Sequence, residues 1–166
     1  MTEVPMRRNV GRPTRARSAA DSSTAPAVDG WDFPASPPDG LGYYVASGLA
    51  EKEYYERFGA WHTGEDWNDL RMGDSDLGAP VHAAAHGVVV EAGRFPTWGN
   101  VILLSHKTPE GALLWSQYAH LQEVRVRQGD VVRRGQPIGT IGKMLDGSGS
   151  PSGPAHLHFE IRVRRL

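Results

Sequence analysis

Apolar and polar residues alternate most clearly near the C-terminus, in Gly153-Pro-Ala-His-Leu-His-Phe-Glu-Ile-Arg-Val163. Read as a strand, this stretch puts Leu157, Phe159, Ile161 and Val163 on one side and His156, His158, Glu160, Arg162 and Arg164 on the other. That is the period of two expected of a half-buried strand, with the apolar side anchoring the histidines from behind. Neighbouring side chains on one face of a strand stand roughly 6 to 7 Å apart. The spacing suits one metal ligand beside one acid or base better than two ligands crowded on one ion.

Upstream, short β-type runs rich in Val, Ile, Leu and Tyr follow one another: 88–91, 100–106, 113–121, 124–127, 131–132 and 137–141. Glycines at 93, 99, 111, 129, 135, 139 and 142 punctuate them. Many short strands with regular glycine turns predict an all-β, mostly antiparallel sandwich or barrel. Between Leu41 and Ala60 the pattern predicts a short strand and then a turn or two of helix. A Gly/Ser/Pro stretch from Lys143 to Ala155 reads as a loop feeding the two-histidine strand, long enough to be functional. Residues 1–38 hold five arginines by position 17, then small polar residues, then Pro26, Pro34, Pro37 and Pro38. They read as a disordered basic tail and Pro-rich linker, serving as a solvated spacer or as a tether to an anionic polymer or lipid. Residues 41–166 are left as the folded domain.

Composition narrows the chemistry. A net charge of −1 over 166 residues argues against a nucleic-acid partner. No apolar run approaches the ~20 residues of a membrane span, and Arg7 and Arg8 are followed by no apolar secretory segment. There is no cysteine, so a metal site must be built from His, Asp and Glu.

Five of the seven histidines pair with one another or with Asp66, and His106 and His120 stand alone. His62 and Asp66, flanking Gly64, can reach one point in a helical turn or in a tight loop, for which Gly64 would relax the backbone. With His158 they make a His-Asp-His set of the kind that leaves a zinc ion one open position. The bland alternative is a surface Asp66 with His62 packed on Trp61 or Trp67. His82-Ala-Ala-Ala-His86 lacks the Glu of a zinc-protease helix and runs between Pro80 and Gly87 into Val88, so it reads as a turn entering a strand. His106, before Lys107 and Thr108, reads as a solvent-facing strand end. His120 ends the run Leu113-Leu-Trp-Ser-Gln-Tyr-Ala-His with Tyr118 on its face, a core or rim histidine unless it meets His156.

Taken together, His62-x-x-x-Asp66, Tyr118-Ala-His-Leu121 and His156-Leu-His-Phe159, with Trp98-Gly-Asn100, Gly129-Asp-Val-Val and Gly135-Gln-Pro-Ile-Gly139 in order between them, resemble the lysostaphin-like or LytM-type zinc peptidases. The resemblance spans about residues 41–164 and implies the duplicated hybrid motif fold. It implies a monomeric zinc-dependent endopeptidase that cuts peptidoglycan cross-bridges or stem peptides in the cell envelope or outside the cell. It further implies that His62, Asp66 and His158 ligate Zn2+ and that His120 and His156 handle protons and the oxyanion, in an order left open. His82 and His86 stand where the family commonly has Tyr and Asp or Asn. The alternatives are a degenerate member acting as a binding or regulatory module for another wall enzyme, and a carrier domain, whose hairpin Gly129 to Gly139 also resembles.

Overall fold

A computed structural model describes residues 25–146 and 148–165. The predicted β-rich chain is present as nine strands with antiparallel pairing throughout. In chain order they are β1 (Tyr43–Ser47), β2 (Glu65–Asp69), β3 (Pro80–His82), β4 (Gly87–Phe95), β5 (Gly99–Lys107), β6 (Leu113–Val124), β7 (Val131–Val132), β8 (Pro137–Leu145) and β9 (Pro151–Arg162). They pair in the order β1-β2-β9-β8-β6-β5-β4-β7, with β3 on β8 and a further pairing of β9 with β6. The sheet does not close into a barrel.

The core follows the alternation. Ile102, Leu104, Tyr118, Ile138, Ile141 and Leu157 are fully buried and pack with Val81, Val89 and Val132. Each large aliphatic side chain removed from water contributes about 1.5 to 3 kcal/mol. Ala83, Ala84 and Ala85 are also buried, as a loop running from β3 into β4 rather than as a helix.

The single helix among the described residues, α1 (Lys52–Phe58), ends on Gly59 in the left-handed conformation, which suits a residue without Cβ. It buries no residue, and its Tyr54 and Tyr55 tie it to the following loop by stacking on His62 and Trp61.

Three differences from the sequence pattern have physical causes. The stretch 143–155 is mostly not a loop: β8 continues to Leu145 and pairs back through Met144↔Ser152 and Leu145↔Pro151, because backbone pairing does not require apolar side chains. On β9 the polar face is buried at its centre as well, with His158 2% and Glu160 5% exposed, while Ile161 on the apolar face is 49% exposed. Only Leu157 and Phe159 of the apolar side join the core, since the other face forms the floor of a cleft. Finally, the segment from residue 25 to 38, which reads as linker, is packed on the sheet. Val28 N–H donates to Lys107 O, Asp32 N–H to Ala84 O, and Pro34 O accepts from His82 N–H, at 2.8 to 2.9 Å. Arg134 pairs with Asp29 and Asp32, and Ala35 bridges Val81. The arginine-rich residues 1–24 lie outside the described residues.

Candidate metal and catalytic site

Strand register brings the first pair together. Asp66 on β2 is the direct cross-strand partner of His158 on β9, and such partners place their Cβ atoms about 4.5 to 5.5 Å apart. The Asp66 Oδ1 to His158 Nδ1 distance is 2.9 Å. His62 precedes β2 in a short loop, with Nε2 3.1 Å from His158 Nδ1 and 3.2 Å from Asp66 Oδ1. Gly64 allows this approach for a reason other than backbone freedom: a Cβ there would lie 2.3 Å from Phe159 O and 2.6 Å from Glu160 Cγ.

The far sides of both rings fix their tautomers. His62 Nδ1–H donates to Gly48 O at 3.0 Å, and His158 Nε2–H donates to Glu160 Oε1 at 2.9 Å. Each inward nitrogen therefore presents a lone pair, and Asp66 adds a carboxylate oxygen. Three acceptors with edges of 2.9 to 3.2 Å and no hydrogen among them repel unless a cation sits between them. A tetrahedral zinc with bonds near 2.0 to 2.1 Å would space its ligands at about 3.3 Å, so the residues fit such an ion with small outward adjustments. Among the described residues this is the one His/Asp/Glu group with converging ligand atoms.

The same neighbours set the local charges. Burial alone would raise Asp66, but His158, His156 and His62 hold its pKa below the usual carboxylate value. Burial would lower His158, but Asp66 and Glu160 raise it. Glu160 is itself buried, yet its pKa is lowered by His158 and by Thr63, whose Oγ1 donates at 2.7 Å.

His120 and His156 flank this triangle, their ring centroids 4.8 Å apart. Simple alternation would put His120 on the face of Tyr118, which packs on Phe159 in the core. Instead His120 has φ +60°, and the pairing with β5 slips between Tyr118 and Leu121, where three steps of β6 oppose two of β5. This bulge turns its ring into the cleft, correcting the expectation that it shares a face with Tyr118; strained backbone of this kind concentrates at functional sites. Its Nδ1–H donates to Trp98 O at 3.2 Å, leaving the Nε2 lone pair to the cleft. Burial, then repulsion from His156 and His158, lowers its pKa to about 3, so the ring is neutral. His156 is less buried; its Nδ1–H donates to Pro154 O at 3.1 Å and its Nε2 lies 3.8 Å from Asp66 Oδ1.

All five residues line one cavity of about 220 Å³, walled by Tyr54, Trp61, Trp98 and Met144. A larger recess of about 450 Å³ beside Tyr43, Arg71 and His82 holds none of them.

The profile of Peptidase family M23 matches residues 62–165. The chain belongs to this family. Over 88 residues it is 38% identical to ShyA, a peptidoglycan DD-endopeptidase of Vibrio cholerae serotype O1, covering 53% of this chain and 18% of that protein. A zinc-containing peptidase from Vibrio cholerae superposes with a TM-score of 0.63 at 27% identity, over 81% of this chain and 37% of that one. Lysostaphin from Staphylococcus simulans does so with a TM-score of 0.54 at 30% identity, over 72% and 42%. The chain thus spans about a fifth of the length of the curated relatives it matches.

The remaining M23-chain histidines serve the scaffold. His106 is not a solvent-facing strand end. It is fully buried, donates from Nδ1 to His86 O at 2.8 Å and meets Ser116 Oγ at 2.7 Å, because Trp31 of the packed segment covers it edge-on. His86 pairs with Asp29 and accepts Arg134 N–H. His82 is half-buried at the end of β3, and neither residue reaches the cleft.

Three residues that pattern reading left unassigned join the site. Glu160 anchors His158, Trp98 holds His120, and Tyr54 stacks on His62 with centroids 4.5 Å apart. His62 therefore packs on Tyr54 rather than on Trp61 or Trp67. Glu160 was visible as the same-face neighbour of His158 two residues on. The isolated short helix carrying Tyr54 gave no such signal.

Proposed function

We propose that this chain is a zinc-dependent endopeptidase that hydrolyses peptide bonds in peptidoglycan cross-bridges or stem peptides, working in the cell envelope. The observation that carries the reading is the triangle of three lone-pair acceptors at His62 Nε2, Asp66 Oδ1 and His158 Nδ1, beside a neutral imidazole whose free nitrogen faces the same space. Membership of the M23 family and the peptidoglycan DD-endopeptidase activity of relatives such as ShyA support the substrate class. No helix among the described residues is long and apolar enough to cross a membrane.

His62, Asp66 and His158 would hold the zinc, which supplies an electrophile for the scissile carbonyl and brings the pKa of water toward ~7. Glu160 and the Gly48 carbonyl fix the orientation of the two imidazoles and favour their lone pairs inward. His120, held neutral, takes the proton of the attacking water at Nε2. The proton taken up at His120 Nε2 then passes to the leaving amine, and His156, at the more open edge, stands beside the oxygen on which charge develops and stabilises it when its Nε2 carries a proton. The walls of Tyr54, Trp61 and Trp98 exclude water and favour a narrow, extended peptide.

The test is hydrolysis of purified wall fragments by protein stripped with a chelator and then resupplied with zinc. Loss and return of cleavage support the reading. Cleavage that ignores the chelator overturns the metal assignment, and a protein that binds fragments with zinc restored but never cuts them is a binding module.

A further inference from the structure

The strand that carries His156 is held by a device belonging to this chain's own β2–β3 connection. Backbone pairing of β2 with β9 runs Glu65↔Phe159, Asp66↔His158, Trp67↔Leu157 and stops there. Beyond that point His156 pairs with Gly142 of β8, and Ala155, one residue further along β9, is buried, so its peptide groups still need partners. Two side chains supply them. Asn68 Nδ2 donates to Ala155 O at 2.9 Å, and Ala155 N–H donates to Asp74 Oδ1 at 2.9 Å. The second oxygen of Asp74 accepts from Lys143 Nζ at 2.6 Å, so one carboxylate touches both strands of the β8–β9 hairpin. Ala155 immediately precedes His156, whose own Nδ1–H is spent on Pro154 O. The peptide groups on the N-terminal side of this histidine are thus fixed from three directions.

The geometry points to Asn68 and Asp74 as positioning residues for His156: together they hold Ala155 by both its donor and its acceptor and so set where the His156 imidazole stands relative to Asp66 and His120. This inference rests on the proposed role of His156 in proton handling. Neither side chain touches the cleft, and Lys143 bridges to Asp74 only at a partly exposed position, where an ion pair adds little. The hydrogen bonds to Ala155 carry the positioning and the ion pair does not.

The experiment uses the zinc-loaded full chain and cross-linked peptide fragments purified from bacterial wall, and measures kcat, KM, bound zinc and Tm for Asn68→Ala, Asp74→Ala, Asp74→Asn, Lys143→Met and His156→Ala. A displacement near 1 Å of a reacting group costs up to about 100-fold, so Asn68→Ala and Asp74→Ala should each lower kcat by about 10-fold to 100-fold. KM and zinc content should hold. Asp74→Asn, which keeps an oxygen for Ala155 N–H, should recover most of the rate, and Lys143→Met should match the parent. The inference is overturned if kcat survives in Asn68→Ala and Asp74→Ala while His156→Ala is inactive, or if Lys143→Met is as slow as Asp74→Ala. It is also overturned if the losses track zinc content or Tm, which Asn68→Ala reads even where Asp74→Ala does not fold. An active His156→Ala would instead overturn the catalytic role on which it rests.

Discussion

His158 on β9 and His106 on β5 are equally removed from water, at 2% and 0% exposure, and their protonation moves in opposite directions. His158 lies between two carboxylates, Asp66 and Glu160, which outweigh burial and raise its pKa. His106 has only neutral partners, the His86 carbonyl and Ser116 Oγ, and burial lowers its pKa to about 4. Its Nδ1–H is committed to the carbonyl, so Nε2 must accept from the Ser116 hydroxyl. Tyr118 Oη, 3.0 Å from Ser116 Oγ, accepts Ala84 N–H at 2.8 Å and can give its own hydrogen to Ser116. The chain is satisfied without any charge. Burial therefore does not decide what a histidine does; the sign of its neighbours does, and carboxylates on both nitrogens make a place for a cation.

The largest effect expected from breaking this contrast is at His158. His158→Ala should lose both bound zinc and hydrolysis, read by metal analysis and product detection, because two ligands remain and Asp66 faces His62 alone. Glu160→Ala leaves the ligand but not its orientation, and should weaken zinc affinity by about 10 to 100-fold in a competition titration. On the neutral side, His106→Ala should unfold at lower denaturant by about 2 to 4 kcal/mol, since it leaves a buried carbonyl and hydroxyl unpaired. Zinc content and the rate of the folded protein should be unchanged.

His106 also sets a pH dependence. Its folded pKa lies below its unfolded value of about 6.5, so between these the unfolded chain binds a proton that the folded chain does not. Stability should then fall as pH drops from about 6.5 to about 4, by up to roughly 3 kcal/mol from this group, and be insensitive to it above that window. Urea titrations at a series of pH values should show this slope in the parent and a shallower one in His106→Ala. The smallest effect is at Ser116→Ala, about 1 kcal/mol.

Much of this arrangement is legible in the sequence because it is local. Glycine-punctuated runs of Val, Ile and Leu specify strands, and His62, Asp66, His120, His156 and His158 converge on one cleft as their motifs imply. What escapes is long-range or breaks a period. His106 looks exposed beside Lys107 and Thr108, and Trp31, some 75 residues earlier in the sequence, is among the groups that cover its ring. His120 enters the cleft because one residue takes φ +60°, which alternation cannot anticipate. Ile161 continues the apolar side of β9 and is nevertheless half-exposed, because the core ends beneath Phe159. The Gly/Ser/Pro composition of 143–155 conceals a hairpin, since strands pair through backbone groups that composition does not report.

In the proposed site, carboxylate-flanked His158 completes a three-acceptor set that would hold zinc. X-ray absorption at the zinc edge on the purified protein tests it most directly. The prediction is one zinc per chain bound by two imidazole nitrogens and one or two oxygens at about 2.0 to 2.1 Å, with the His158→Ala protein unable to retain it. Substoichiometric zinc, or a six-coordinate shell of oxygens alone, would contradict the account.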